Sequence, residues 1–206
     1  RAGTEHRSCL LAEDFLLQKI AEFPDLTVLS MGPMTNLAMA CMRSPELMEH
    51  VRIIGMGGAF LSSAPEWNIA CDPEAADIVM RSCRNLTLMG LDVTKYLKID
   101  EQRLTAWKAR KDLVMDYYLK GVELFRKATG FPVTFHDVLL VAYLMDPDVV
   151  RLKKGDFAVE LAGTMTRGTM VDISNYYDIE PEIHSGFTYA VSVDLPRFFG
   201  LLDRYF

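Results

Sequence analysis

A histidine and an aspartate stand side by side at residues 136 and 137, at the start of the apolar run "VLLVAYL". Asp137 can cap the helix that this run predicts, because a carboxylate at a helix start accepts amide hydrogen bonds. Alternatively, Asp137 can bind a hard divalent cation while the imidazole of His136 donates a proton. Calcium binds about six to eight oxygens, so a single carboxylate does not make a calcium site. The segment alone leaves both interpretations open.

Further candidates follow the predicted strands, because α/β proteins bind ligands beyond the carboxyl ends of their strands. Met31 begins the turn that follows "LTVLS", and Met56 precedes a glycine pair after "VRIIG". Asp92 and Thr94 come at the end of the third predicted strand, where Asp92 can cap a turn. The glycines and the proline at these positions are also ordinary turn residues. These positions therefore either line a pocket or simply form the turns that such a fold requires.

The segment "EWN" places Glu66, Trp67 and Asn68 in an irregular stretch between strand and helix. Alternate side chains of an extended segment point the same way, so Glu66 and Asn68 would share one side and Trp67 would face the other. A carboxylate and an amide on one side of a pocket suit hydroxyl-rich ligands such as sugars. The same three residues can also be loop residues without a ligand.

Apolar strands alternate with amphipathic helices over the first half of the chain. The predicted strands are "LTVLSM", "VRIIGM" and "NLTLMGLDVT". Asp72 and Pro73 suit the N-cap and the first position of one intervening helix, and Pro33 suits the first position of another. This alternation predicts an α/β fold with a mostly parallel sheet and flanking helices.

The second half of the chain begins with a more polar helical stretch over residues 100–128, which predicts a pair of helices packed on the sheet. The basic segment "RLKKGD" is typical of a solvated turn. No linker or repeat interrupts the chain, so we expect a single domain over residues 1–206. The remaining segments predict three strands of an antiparallel or edge layer and a closing helix: "DFAVELAG", "GTMVDIS", "TYAVSVD" and "LPRFFGLLDRYF".

The composition argues against several classes of protein. A net charge of −6 without a lysine and arginine stripe does not suit a nucleic-acid surface, because phosphates need neutralising charge. No apolar run reaches about 18 residues and the start does not resemble a signal peptide, so we expect no membrane association and a cytoplasmic location. The four cysteines lack the spacing of metal or redox motifs, which predicts free, reduced thiols.

Six segments share their order and rough spacing with one known family: "MGPMTNLAMA", "IIGMGGAF", "EWNIACDPEAADIV", "MGLDVT", "HDVLLVAYLMDP" and "VELAGTMTRGTMVD". They resemble the corresponding segments of the inosine-uridine preferring nucleoside hydrolases. The resemblance implies the α/β fold of that family and hydrolysis of the N-glycosidic bond of ribonucleosides, which yields ribose and free base. It also implies a calcium cofactor, a role in nucleoside catabolism, and a homo-oligomer, either a dimer or a tetramer.

The resemblance assigns a role to each half of the histidine-aspartate pair. Asp137 resembles a metal ligand of the family, and the main-chain carbonyl of Met31 resembles another. His136 resembles the acid that protonates the leaving base. An acid at this place suits an oxocarbenium-like transition state, because it relieves the charge that develops on the departing base.

The resemblance also assigns a sugar-binding group. Asn68 resembles the residue that binds the ribose diol, and Glu66 resembles the one at the 5′-hydroxyl end. Met56 would line the sugar, and Trp67 stands where the family commonly has phenylalanine.

One part of the family pattern does not occur in these 206 residues. The family has an N-terminal strand that ends in a cluster of aspartates, which supplies further metal ligands and the general base. We therefore expect a nucleoside hydrolase-like domain that lacks its N-terminal strands. The alternative to an active hydrolase is a catalytically incompetent fragment that acts at most as a ribose-binding or assembly unit.

Overall fold

The computed structural model describes residues 10–110, 112–176 and 186–205. Its centre is a five-stranded sheet in which four neighbouring strands are parallel and the last is antiparallel to its neighbour. This arrangement confirms the predicted α/β class with a mostly parallel sheet. In spatial order, the strands are β1 (Thr27–Ser30), β2 (Arg52–Met56), β3 (Leu86–Met89), β7 (Phe187–Val193) and β4 (Val150–Gly155).

Helices cover both faces of the sheet, and each face has its own apolar core. One face packs against α1 (Ala12–Glu22), α2 (Thr35–Arg43), α3 (Pro45–Glu49) and α5 (Pro73–Ser82). The other packs against α7 (Glu101–Ala109), α8 (Leu113–Thr129), α9 (Val138–Met145) and α10 (Leu195–Tyr205).

The two cores explain why the strands read as uninterrupted apolar runs. Ile53 and Ile54 are neighbours on β2, and both are completely buried. Because successive side chains of a strand point to opposite faces, Ile53 joins the first core and Ile54 joins the second. A parallel sheet covered on both faces needs apolar residues at consecutive positions.

The helix starts show how much of the local structure follows from capping. Asp72 accepts a hydrogen bond from the amide of Ala75 at 3.1 Å, and Pro73 is the first residue of α5, as predicted.

The predicted helical pair is also confirmed as α7 and α8. The prediction that Pro33 begins a helix was wrong, because α2 begins at Thr35 and residues 31–34 form the turn before it.

Two predictions for the second half of the chain were also wrong. The segment "RLKKGD" is not a turn but part of β4, in which Val150 and Leu152 contact the core while the lysines lie in solvent at the sheet edge. The segment "TYAVSVD" forms β7, which lies inside the sheet, parallel to β3 and antiparallel to β4. The other two segments form a separate antiparallel pair, β5 (Phe157–Val159) and β6 (Met170–Asp172).

The predicted free thiols are confirmed for the three cysteines that the structure describes. Cys41, Cys71 and Cys83 are free thiols, while Cys9 lies outside the described residues. Among the described residues, no helix combines the length and the apolar character that a membrane crossing requires.

Candidate functional site

The structure brings all seven predicted site residues together around one cavity of about 250 Å³. The cavity lies at the carboxyl ends of the parallel strands, because Met31 follows β1 directly and Met56 ends β2. The seven residues are Met31, Met56, Glu66, Trp67, Asn68, His136 and Asp137.

Leu91 also lines this cavity, and the sequence did not single it out. It begins α6 (Leu91–Thr94), a short helix that follows β3. Leu91 could have been identified from its position just beyond the end of β3. The candidate predicted there was Asp92 instead. Asp92 turns inward and accepts hydrogen bonds from the amides of Phe60 at 2.5 Å and Leu61 at 3.3 Å, which confirms that it caps a turn.

Glu66 is bound by main-chain amides at the wall of the cavity. Its carboxylate accepts hydrogen bonds from the amides of Gly58 at 3.2 Å, Asn68 at 2.9 Å and Ile69 at 3.2 Å. The predicted extended loop was therefore wrong, because Glu66 is the N-cap of the helix α4 (Trp67–Cys71). Burial raises the pKa of the Glu66 carboxyl, and the amide hydrogen bonds lower it in part.

This geometry leaves Glu66 limited capacity for a ligand. A carboxylate offers about four acceptor positions, and the amides occupy three of them. Gly58 reaches Glu66 with a left-handed φ of 86°, which suits glycine because it has no side chain. Glu66 thus binds together the turn after β2 and the start of α4, and retains one acceptor position for a hydroxyl.

Replacing Glu66 with glutamine should lower the free energy of unfolding by about 1–3 kcal/mol, because the new amide group would face a buried amide donor without an acceptor. Denaturant unfolding measures this change. Glu74→Gln is the matched control, since the Glu74 carboxylate pairs with Arg167 at the surface. The control should leave stability nearly unchanged, and an equal loss in both variants would contradict the buried role of Glu66.

Asn68 and Trp67 present different groups at the cavity. The side-chain amide of Asn68 donates to the main-chain oxygen of Met56 at 3.0 Å, which fixes its orientation. Its side-chain oxygen is then available to accept a hydrogen bond from a ligand. Trp67 is 78% exposed, so its ring forms part of the rim rather than the core.

His136 is held in place by a buried hydroxyl. Its Nδ1 lies 2.9 Å from Oγ1 of Thr94, and Thr94 is completely buried at the end of α6. Burial lowers the pKa of His136, and the neighbouring Asp137 raises it in part. With Nδ1 engaged by Thr94, the other ring nitrogen is the one available to a ligand.

Asp137 stands at the N-cap position of α9, but it does not act as a cap. Its backbone is helical, with φ −77° and ψ −27°, and within the described residues its carboxylate accepts no hydrogen bond from the helix amides. Burial raises the pKa of this carboxyl, and His136 lowers it in part. The structure therefore does not support the capping interpretation of Asp137.

The oxygen groups at the cavity match calcium in type but not in number. Asp137 and the main-chain carbonyl of Met31 are hard oxygen donors. The part of the chain that the structure describes contains no group of three or more His, Cys, Asp or Glu side chains placed to hold a metal ion. These residues by themselves do not complete a calcium site.

A second cavity of about 450 Å³ shares one residue, His136, with the first. Its walls include the rings of Phe125 and Phe131 and the side chains of Lys95 and Lys98. His136 therefore lines both the cavity that contains Glu66, Asn68 and Asp137 and the cavity that contains the two phenylalanine rings.

The chain is similar in sequence to several known proteins. A family profile described as "Inosine-uridine preferring nucleoside hydrolase" matches residues 4–200. The chain is 33% identical over 189 residues to the inosine-uridine preferring nucleoside hydrolase of Crithidia fasciculata, covering 86% of this chain and 58% of that protein. It is 34% identical over 173 residues to uridine nucleosidase 1 of Arabidopsis thaliana, covering 78% of this chain and 52% of that protein.

Solved structures show the same relationship. A plant nucleoside hydrolase superposes with a TM-score of 0.84 at 26% identity, over 97% of this chain and 68% of that one. A purine-preferring ribonucleoside hydrolase from Gardnerella vaginalis superposes with a TM-score of 0.80 at 27% identity, over 96% of this chain and 66% of that one. The chain spans about half the length of the curated relatives it matches. Over that span, it belongs to the inosine-uridine preferring nucleoside hydrolase family.

Proposed function

We propose that the protein hydrolyses the N-glycosidic bond of ribonucleosides and releases ribose and a free base. The observation that carries the proposal is that His136 lines two cavities, one with the side chains of Glu66 and Asn68 and the other with the rings of Phe125 and Phe131. By name, the relatives include an inosine-uridine preferring hydrolase, a uridine nucleosidase and a purine-preferring hydrolase, so inosine and uridine are the substrates to assay first.

The first cavity suits the ribose. The free oxygen of Asn68 and the remaining acceptor position of Glu66 can each accept a hydrogen bond from a sugar hydroxyl. Both groups are fixed by main-chain hydrogen bonds before a substrate arrives, so binding costs little ordering of the side chains. Met56 and the ring of Trp67 would contact the apolar face of the sugar.

The second cavity suits the base. Phe125 and Phe131 offer rings against which a planar heterocycle can stack. His136, at the junction, would give its proton to the base as the glycosidic bond breaks. The burial that lowers the pKa of His136 makes its protonated form a stronger acid toward the leaving group.

We further propose that the metal ion is calcium, and that Asp137 and the Met31 carbonyl supply part of its oxygen ligands. Water, the ribose hydroxyls or residues beyond the described ones would supply the rest. Bound calcium would lower the pKa of a coordinated water and so favour its attack on the sugar.

The assay is the release of reducing sugar from inosine and from uridine, with and without calcium. We expect turnover in the presence of calcium and loss of turnover on adding a chelator. Failure to hydrolyse either nucleoside when calcium is bound would contradict the proposal. It would favour the alternative of a ribose-binding or assembly unit without catalysis.

Thr94→Val should lower kcat by about 10- to 100-fold, because a freely rotating imidazole is not aligned with the leaving base. We expect KM to change little, since Thr94 touches neither proposed sugar-binding group. A riboside whose leaving group needs no proton should be hydrolysed at nearly the normal rate, which a general loss of structure would not allow. Thr105→Val, which alters an exposed hydroxyl bound to the carbonyl of Glu101, is the matched control.

A further inference from the structure

The helix α8 carries two apolar faces, of which only one is packed. Met115 and Val122 lie in the core, on the side that faces the sheet. On the other side, four large apolar side chains are between 60% and 85% exposed: Leu113, Val114, Tyr117 and Leu124. We call these four residues the α8 strip. An exposed apolar strip of this length on an otherwise amphipathic helix is typical of an interaction surface.

A row of charges runs along one flank of the α8 strip. Asp116, Lys120, Glu123 and Lys127 follow one another at helical spacing, and their signs alternate. Among the described residues, none of these four side chains forms an ion pair. The row is therefore free to pair with charges on another molecule.

The order of the charges selects the partner. When two copies of one helix pack antiparallel about a two-fold axis, each flank meets the same flank of the other copy in reverse order. Asp116 then lies opposite Lys127 of the second copy, and Lys120 lies opposite Glu123 of the second copy. Every charge in the row meets its opposite, so the row is complementary to itself.

Gly121 is an independent observation for the same arrangement. It lies in the middle of α8, on the side of the α8 strip, although glycine is a poor helix former. A Cβ added at this position would meet no atom within 4 Å, so the packing of its own chain does not require glycine there. The two-fold axis that pairs the charges passes beside Gly121, where the missing side chain allows two helices to approach closely.

We propose that α8 is a surface through which two copies of this protein associate, antiparallel and centred near Gly121. The α8 strip supplies the apolar contact, and the charge row fixes the direction and register. Phe125 is not part of this surface, because it lines the cavity assigned to the base. The proposal goes beyond the hydrolase function and does not depend on it.

Sedimentation equilibrium of the protein tests this interface. We expect a dimer whose dissociation constant rises at least about tenfold in Lys120→Glu. The substituted residue would face Glu123 of the second copy, and this repulsive pair would occur twice in each dimer. Glu123→Lys should have the same effect. An equimolar mixture of the two variants should restore the dimer, since the substituted charges are complementary between chains.

Lys154→Glu on β4 is the matched charge reversal away from α8, and it should leave the dissociation constant unchanged. Thermal unfolding of each variant shows whether the helix is still folded. A monomeric protein, an unchanged dissociation constant in Lys120→Glu, or a mixture that stays monomeric would each overturn the proposal. Nucleoside hydrolysis is measured separately, so a failure of the interface and a failure of the proposed activity are distinguished.

Discussion

Asp137→Asn should abolish calcium binding and reduce nucleoside hydrolysis by about 100-fold or more, beyond the loss typical of residues that only support a metal ligand. The substitution keeps the shape of the side chain and removes its charge. Because the Asp137 carboxylate does not cap α9, its loss should leave the helix intact. Isothermal titration with calcium and the release of reducing sugar measure the two effects.

Asp25→Asn is the matched control, because Asp25 is an exposed residue in the turn before β1. The thermal unfolding of the unsubstituted protein should shift upward with calcium, and that shift should be absent in Asp137→Asn. A turnover that Asp137→Asn leaves unchanged would remove the role assigned to this residue.

His136→Ala should reduce kcat for inosine by about 10²- to 10⁴-fold, the range that a general acid typically contributes. Hydrolysis of a nitrophenyl riboside should fall far less, because nitrophenolate leaves without a proton. The ratio of the two rates therefore reports the proton transfer and not the folding of the site. His50→Ala, which alters an exposed histidine that follows α3, is the control. Equal losses on both substrates would show that His136 does not act on the leaving group.

Local sequence patterns were sufficient to predict the strands whose carboxyl ends form the site, but not the short helices α4 and α6 beside them. The apolar runs of β1, β2 and β3 and the cap at Asp72 depend on neighbouring residues, and the structure has strands at the three runs and the cap as predicted. The third run was predicted too long, because β3 ends at Met89 and the last part of the run forms α6. The strand β4 was missed because its lysines resemble a turn, and only the pairing with β7 makes them the solvent face of an edge strand. The order of strands depends on long-range pairing, so the interior place of β7 did not follow from its own residues.

Most of the residues that line the candidate site could be predicted from the sequence, but their hydrogen bonds could not. The resemblance to a family placed seven residues in one pocket, and the structure brings them together. The capping role of Glu66 did not follow, because glutamate is not among the preferred N-cap residues and one of its donors, Gly58, is distant along the chain. The hydrogen bond between Thr94 and His136 joins residues 42 positions apart, which no local pattern indicates.

The two cavities that share His136 differ in how strongly their lining residues are held by the rest of the fold. This difference bears on how the protein can evolve. The first cavity is formed in part by strand ends and by Glu66, whose carboxylate is bound by main-chain amides, so a substitution of Glu66 also disturbs the fold. In the second cavity, Phe125 and Phe131 are 46% and 69% exposed and belong to neither core. Under the proposed function, the preference for one base or another can therefore change through substitutions at these two positions while both cores and the first cavity are retained.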